Sequence, residues 1–406
     1  MKSKILMKYR SLLVRVYSII FRIIGLFPRN EKLLIFEYYS GKQFSCYPRA
    51  IFEYLKENKN KYEYRLIWSI DKRNKGLFDD IQEKDFKKFS LKWLLYLDTA
   101  KYWITNITNS CLPQWVPKLR NTTYVQTWHG TPLKKFANDM DEVQMPGTTE
   151  QYKRNFLIKA SKWDYLISPN AYSTEIFRNA FQLKKIFIES GYPRDDFLYK
   201  ENRNEEMLKI KERLGINKEK KIFLYAPTWR DNSFYAKGKY KFNMFLDLES
   251  LKNQLSNEYI AILRMHYLVP KNINLTVYKG FAHDFSDHND IRELYLILIT
   301  DYSSVFFYYA GLKRHFVPDI KFYRNKLRDF MMILKSVLPG LLYKTTEKVI
   351  EPIHKTKDLN RMKTLLYFTI NFVLWKKVID LKQLWKNYSD KKLIILKEHL
   401  RCCFQL

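Results

Sequence analysis

From Glu31 onward, short β-rich runs alternate with helical patterns, and no other feature of the sequence constrains the fold as strongly. Alternation of this kind is typical of α/β architecture with mostly parallel sheets. A charged, helix-prone connector at Tyr199–Lys221 divides the alternation into two series. We therefore predict two Rossmann-like domains that face each other across a cleft.

The predicted elements are short. The candidate strands of the first series are Lys32–Tyr39, Tyr62–Ile70, Tyr102–Asn106, Tyr124–Thr127, Tyr165–Ser168 and Ile186–Glu189. Those of the second series are Ile222–Ala226, Tyr259–Met265, Leu275–Tyr278, Leu296–Thr300 and Phe316–Pro318. Helical patterns lie between them, for instance Pro48–Lys59 and Ser173–Phe181. The predicted boundaries are residues 1–30 for an N-terminal helix, 31–205 and 206–354 for the two domains, and 355–406 for a basic helical tail.

The first 28 residues form a basic and apolar segment. Its polar residues recur at steps of four and three, so they form one stripe of a helix. They are Lys4, Lys8, Ser11, Arg15, Ser18, Arg22 and Gly25. The segment has no run of about 18 apolar residues, as a spanning helix requires. The pattern predicts an amphipathic helix on an anionic membrane surface, and the alternative is a helix that packs on the protein's own core.

The charge balance indicates an anionic partner. Lys and Arg number 72 and Asp and Glu 42, which gives 72 − 42 = +30 at pH 7. Nucleic acid, an acidic membrane face or a phosphorylated substrate would each fit. The sequence contains no DNA- or RNA-reading motif, so we predict no nucleic-acid partner. The four cysteines lack zinc-like spacing, and we expect a reduced, intracellular protein with no metal and no cofactor.

The most suggestive string is WHGTPLKK at Trp128–Lys135, directly after a predicted strand. Open α/β sheets bind their ligands at this carboxyl end of the strands. Gly130 lets the backbone approach a substrate closely, and Pro132 suits the first turn of a following helix. His129 would then project into the cleft as a general base, and the alternative is a histidine that only caps a helix.

The string TDYSSV, at Thr300–Val305, also follows a predicted strand. It places Ser303 and Ser304 in the first turn of a helix, where free backbone N–H groups and the helix dipole favour a phosphate. The alternative is ordinary helix capping by Ser303 or Asp301.

Two neighbouring strand ends carry Arg230, Arg264 and His266. Arginine offers a fork of donors to phosphate oxygens, and histidine can donate to a bridging oxygen. Taken singly, each arginine is better explained as a solvated surface group. Four strand ends that converge on one cleft predict a site for a pyrophosphate-containing donor held without metal.

These strings together resemble the glycerophosphotransferases that build wall teichoic acid and related capsular polymers from CDP-glycerol. The resemblance runs from Leu33 to Ile350, and the order WHGTPLK then TDYSSVFF is its most specific feature. The further matching segments are Ile167–Phe181, Gly191–Leu198, Tyr225–Asp231, Leu263–His266 and Leu294–Arg314. The resemblance implies a GT-B-like fold with an N-terminal acceptor domain and a C-terminal donor domain.

The resemblance also implies substrates and location. It implies CDP-glycerol as donor, an undecaprenyl-diphosphate-linked saccharide as acceptor, and peripheral attachment to the cytoplasmic face of the membrane. Carried over by position, His129 is the catalytic base and His266 stabilises the donor phosphates. The implied substrate-binding residues are Gly130, Thr131, Arg230, Arg264, Ser303 and Ser304.

Other functions stay open at this point. A CDP-ribitol or nucleotide-sugar transferase would keep the fold and change the donor. A non-enzymatic basic protein that binds membranes or polyanions would explain the charge alone. Within the family, the lack of a large additional N-terminal domain favours a priming or capsule-type enzyme over a polymerase.

Overall fold

The computed structural model describes residues 12, 15–71, 90–107, 118, 121–141, 151–184, 186–194, 203–213, 215–227, 234–236, 239–240, 244, 246–265, 274–284, 297–300, 303–305, 307, 315–318 and 345–354. The two predicted α/β series correspond to two parallel sheets. The predicted tail at residues 355–406 lies outside the described residues.

The first sheet has six strands, all parallel, in the order β2-β1-β3-β4-β5-β6. They are β1 Asn30–Glu37, β2 Arg65–Trp68, β3 Ala100–Thr105, β4 Thr123–Gln126, β5 Tyr165–Ser168 and β6 Ile186–Glu189. The strand order reverses between β1 and β3, and ligands of open α/β sheets bind outside the carboxyl ends at such a point.

Helices pack on both faces of this sheet, which divides the apolar core into two clusters. They are α1 at residues 15–24, α2 Cys46–Glu57, α3 Leu91–Thr99, α4 Gln151–Ala160 and α5 Ala171–Phe181. Side-chain caps fix where two of them begin: Ser90 accepts from the backbone N–H of Trp93 at 3.1 Å, and Asn170 accepts from that of Ser173 at 2.9 Å. The helices α2 and α5 confirm the patterns predicted near Pro48–Lys59 and Ser173–Phe181.

The second sheet has five parallel strands in the order β11-β10-β7-β12-β13. They are β7 Lys221–Tyr225, β10 Tyr259–Leu263, β11 Ala282–Asp284, β12 Ile297–Thr300 and β13 His315–Pro318, and a separate antiparallel pair joins β8 Phe234–Ala236 and β9 Lys239–Tyr240. The helices are α6 Arg203–Arg213 in the predicted connector, α7 Leu248–Leu255 and α8 Thr346–His354. The order reverses between β7 and β12, and the strings Tyr225–Asp231 and Thr300–Val305 begin at the last residues of these two strands.

Two sequence predictions are wrong. The run Leu275–Tyr278 is no strand; Thr276–Tyr278 is a 3₁₀ turn, and the strand at that edge is Ala282–Asp284, which pairs with β10. The helix predicted to begin at Pro132 is absent: residues 131–136 are not helical, and a 3₁₀ turn at Ala137–Asp139 follows them. At the sheet edge, pairing of Ala282–Asp284 with β10 overrides the local preference of the sequence.

Helix α1 has apolar residues on two sides. Phe21 is fully buried in the core of the first sheet, and Tyr17, Ile20 and Ile24 pack against that core. A second apolar row faces solvent; it comprises Leu12, Val16, Ile19, Ile23 and Leu26, of which Ile19 and Ile23 are 56% and 55% exposed. The alternative that the helix packs on the protein's own core therefore holds for one face of the helix.

Candidate functional site

His129 lies just beyond the carboxyl end of β4, and its neighbour Trp128 determines which way it points. Trp128 has a left-handed backbone (φ 55°), a conformation that costs energy in a residue other than glycine. Its backbone N–H donates to Gln126 Oε1 at 3.0 Å. The indole is buried in the core and packs edge-on against Phe177 and Phe181. This turn buries Trp128 and leaves His129 partly exposed at the strand end.

The imidazole of His129 is held by the neighbouring strand β3. Its Nδ1 lies 3.2 Å from the backbone oxygen of Asn106, the residue that follows β3. A carbonyl oxygen only accepts hydrogen bonds, so Nδ1 carries the proton and Nε2 keeps its lone pair. The Asn106 side chain in turn accepts from the backbone N–H of Tyr39 at 2.9 Å, which ties the ends of β1, β3 and β4 together.

Burial keeps His129 neutral. It lowers the pKa of the imidazole to about 4; the hydrogen bond to Asn106 raises that pKa, and the positive charge of Arg194 lowers it. At neutral pH the side chain is therefore an uncharged imidazole whose Nε2 can accept a proton.

At Gly130, a loop of the first sheet closely approaches a loop of the second sheet. A Cβ atom added to Gly130 would lie 3.1 Å from Ser304 Oγ and 3.9 Å from Ser304 Cβ. The predicted reason for glycine, close approach, therefore holds, but the approaching group is a serine of the other unit. Thr131 follows as a buried residue, and the loop is held by α5, since the Tyr172 hydroxyl donates to the Pro132 oxygen at 3.1 Å.

The second unit contributes residues from its own reversal point. Thr300, the last residue of β12, donates its hydroxyl to the Ala226 oxygen at 2.6 Å and so joins β12 to the end of β7. The Ser303 hydroxyl accepts from the Val305 backbone N–H at 3.3 Å. This is the helix capping that the sequence offered as the alternative to phosphate binding. Ser304 faces Gly130, as described above.

Arg264 follows β10, and its backbone N–H donates to the Tyr225 oxygen at 2.9 Å. Its charge acts on the first unit: it lowers the pKa of the buried Tyr38 hydroxyl, which burial raises well above its usual value. The structure thus brings His129, Gly130, Thr131, Arg264, Ser303 and Ser304 to one region. Arg230 and His266 lie outside the described residues.

Sequence reasoning missed two residues near His129. Asn106 follows β3, whose place beside β4 could not be read from the sequence alone. Arg194 lies in the segment Gly191–Leu198, which was noted for the resemblance but given no role. The guanidinium of Arg194 lies 4.7 Å above the Tyr47 ring, and its charge reaches both His129 and Tyr38.

A neutral imidazole and serines at the strand ends of two parallel α/β units are typical of the class of α/β enzymes. Comparison with known proteins narrows the class. Residues 19–376 match the model of the CDP-glycerol:poly(glycerophosphate) glycerophosphotransferase family. The chain belongs to this family, and it is therefore an enzyme of the glycerophosphotransferase class.

Named relatives support the assignment. The chain is 76% identical over 384 residues to the teichoic acid poly(glycerol phosphate) polymerase of Bacillus spizizenii, covering 93% of this chain and 97% of that protein. It is 54% identical over 360 residues to the enzyme of the same name from Bacillus subtilis, covering 87% of this chain and 48% of that protein. A solved structure of the wall teichoic acid polymerase TagF is similar with a TM-score of 0.78 and 35% identity, over 98% of this chain and 97% of that one.

Proposed function

We propose that the chain transfers glycerol phosphate from CDP-glycerol to the hydroxyl end of a lipid-linked acceptor and releases CMP. One observation carries this proposal. A neutral histidine of the first unit, whose Nε2 keeps its lone pair, precedes Gly130, and Gly130 approaches Ser304 of the second unit. The proposed arrangement is GT-B-like, with residues 31–205 on the acceptor side and 206–354 on the donor side.

The proposed step needs one base and several phosphate-binding groups. His129 Nε2 takes the proton of the acceptor hydroxyl, and the oxygen forms a bond to the β-phosphorus of CDP-glycerol. The bond from that phosphorus to the bridging oxygen breaks, and CMP leaves with the electron pair. His266, Ser303, Ser304, Arg230 and Arg264 are the proposed stabilisers of the charge on the donor phosphates, which is most of what phosphoryl transfer requires.

The choice of donor rests on the relatives. The 76% identical relative is named for glycerol phosphate, whereas a poly(ribitol-phosphate) polymerase of Bacillus spizizenii is 32% identical over 251 residues. A TagF variant structure obtained after a CDPG soak is similar to this chain with a TM-score of 0.76 and 32% identity. CDP-glycerol is therefore the favoured donor over CDP-ribitol.

The names of the relatives also bear on the number of units added. The sequence favoured a priming enzyme, but the relative that this chain matches over 97% of its length is named a polymerase. A glycerol-phosphate primase of Bacillus subtilis is 28% identical over 402 residues. We therefore propose repeated addition to a growing poly(glycerol phosphate) chain in place of the priming reaction.

We propose that the protein attaches peripherally to the cytoplasmic face of the membrane. Among the residues that the structure describes, no helix is both long and apolar enough to cross a bilayer. Helix α1 exposes the apolar row that contains Val16, Ile19 and Ile23, and Arg15 and Arg22 are exposed on the same helix. A row of this kind, flanked by cations, suits the interface of an anionic membrane.

Product analysis tests the function. The purified chain is incubated with CDP-glycerol and a lipid acceptor that ends in glycerol phosphate, and the released nucleotide is identified. Glycerol phosphate transfer releases one CMP per added unit, whereas transfer of the group beyond the second phosphate, as in sugar transfer from a nucleotide sugar, releases a nucleoside diphosphate. Release of CDP, or no release from folded protein, would contradict the proposal.

A further inference from the structure

Two stacked tyrosine rings, those of Tyr47 and Tyr192, hold Arg194 in place beside the site. The guanidinium lies 4.7 Å from the centre of the Tyr47 ring, and Tyr47 is itself stacked on Tyr192 at 4.3 Å with the rings nearly parallel. Nη1 donates to Cys46 Sγ at 3.2 Å. A guanidinium anchored by stacking on an aromatic ring loses little freedom when it binds an anion.

A series of aromatic contacts extends from these tyrosines towards His129. Tyr38, Cys46, Tyr47 and Tyr192 belong to one buried cluster, against which Tyr39 packs. The Tyr38 and Tyr39 ring centres are 4.6 Å apart, and those of Tyr39 and His129 are 6.1 Å apart. Arg194 therefore contacts Tyr47 of this cluster, and the imidazole lies next to Tyr39, which packs against the same cluster.

The backbone on this side of the site is strained. Tyr39, Ser40 and Cys46 all have left-handed φ angles, of 43°, 60° and 63°. Such conformations in residues other than glycine persist where the surroundings enforce them, and they cluster at sites that bind or react. The strained turns join β1 to α2 and so carry the residues that anchor Arg194.

Two arginines approach the site from opposite units. Arg264 belongs to the second sheet, with Ser303 and Ser304, on the proposed donor side. Arg194 follows β6 of the first sheet, and the proposed base, His129, follows β4 of the same sheet. Burial raises the pKa of the Tyr38 hydroxyl well above its usual value, and the charges of both arginines lower it.

We propose that Arg194 binds a phosphate of the acceptor, namely the phosphodiester of the last unit already in the chain. The inference rests on the proposed function, in which the acceptor is a poly(glycerol phosphate) end. In such an acceptor the attacking hydroxyl and the last phosphodiester are joined by one glycerol, so a cation on the His129 side of the site can hold the phosphate while the hydroxyl meets the imidazole. The planar fork of arginine matches two phosphate oxygens.

A pair of soluble acceptors tests this inference. One carries a terminal glycerol phosphate unit, and the other has a neutral methylphosphonate in place of that phosphodiester. The measured quantity is the ratio of kcat/KM for the charged and the neutral acceptor at saturating CDP-glycerol. Because both values come from one preparation, the ratio does not depend on how much of a variant is folded.

Arg194→Gln should lower this ratio by about tenfold or more, since it removes a charge-assisted hydrogen bond to phosphate. Arg194→Lys keeps the positive charge but lacks the planar fork, so its kcat/KM ratio should lie between those of the wild type and Arg194→Gln. The KM for CDP-glycerol should change less than about threefold, as the arginine is assigned to the acceptor. Arg65→Gln is the matched control, because Arg65 also stacks on a tyrosine, at 4.9 Å over Tyr96, away from the site.

Two results for Arg194→Gln would overturn the inference. One is an unchanged kcat/KM ratio, and the other is a higher KM for CDP-glycerol without a lower ratio. A second measurement works without turnover. The charged acceptor alone should raise the Tm of the wild type more than that of Arg194→Gln, and equal shifts would also overturn it. If the wild type released no CMP with either acceptor, the proposed function would have failed, and the thermal shifts would still report on Arg194.

Discussion

At the residue scale, the site depends on how His129 is held. A histidine at a strand end was predicted from the sequence, but its tautomer was not, because it is fixed by Asn106 of a different strand. The left-handed turn at Trp128 explains how a buried indole and a partly exposed imidazole follow each other in the chain. Burial of the ring lowers its pKa, whereas the hydrogen bond to Asn106 that orients the ring raises it.

The pKa of His129 has a measurable consequence. If the imidazole is the base, the acid limb of the pH profile of kcat/KM should fall near 4 instead of near 6.5, because burial disfavours the protonated form. Activity would thus rise as pH increases through about 4 and then stay constant through 6.5. Arg194→Gln removes a nearby positive charge and should move the limb upward. A wild-type limb at about 6.5 would contradict the description of a buried, neutral base.

At the element scale, helix α1 shows what a sequence pattern leaves undecided. Its polar stripe was identified, but the broad apolar remainder fits both a membrane surface and the protein core. The structure divides that remainder between Phe21, which is buried, and the outward row with Ile19 and Ile23. A buried contact between Arg29 and Asp98, with 3.6 Å between nitrogen and oxygen, holds the end of this segment to α3.

The outward row predicts membrane binding that can be removed without unfolding. Replacing Ile19 and Ile23 together by Glu should lower binding to vesicles of anionic lipid at least about tenfold, because two apolar side chains and their favourable insertion are lost. Leu91→Glu with Ile158→Glu is the matched control, as both residues are exposed apolar groups elsewhere. Co-sedimentation measures the binding, and equal loss in the control pair would show that charge alone causes it.

At the scale of the whole molecule, the two parallel sheets and the residues at their strand ends could be predicted, because helical and strand periodicities and strand-end motifs are local. The order of strands is not local, so the proximity of Asn106 to His129 could not be predicted. The strand predicted at Leu275–Tyr278 failed for a related reason. That run has β-forming residues, but Val277 is 67% exposed, and the edge of the sheet is taken by Ala282–Asp284 through pairing with β10.

The contact between the units can be tested at Gly130. Gly130→Ala places a methyl group 3.1 Å from Ser304 Oγ and should displace that hydroxyl by a few tenths of an ångström. If Ser304 binds the donor, the KM for CDP-glycerol should rise about three- to tenfold, with little change in Tm. In a Ser304→Ala background the same replacement should have much less effect, because the opposing oxygen is gone. Additive effects would mean that the two residues do not meet during the reaction.

The most direct test of the central claim is CMP release from CDP-glycerol with a glycerol-phosphate-ended acceptor, measured for the wild type, His129→Asn and His283→Asn. His283 is a partly buried histidine in β11 and serves as the matched control. We predict CMP release by the wild type and His283→Asn, and a loss of at least about a hundredfold in His129→Asn, the usual contribution of a general base. CMP release by folded His129→Asn at the wild-type rate would contradict the account.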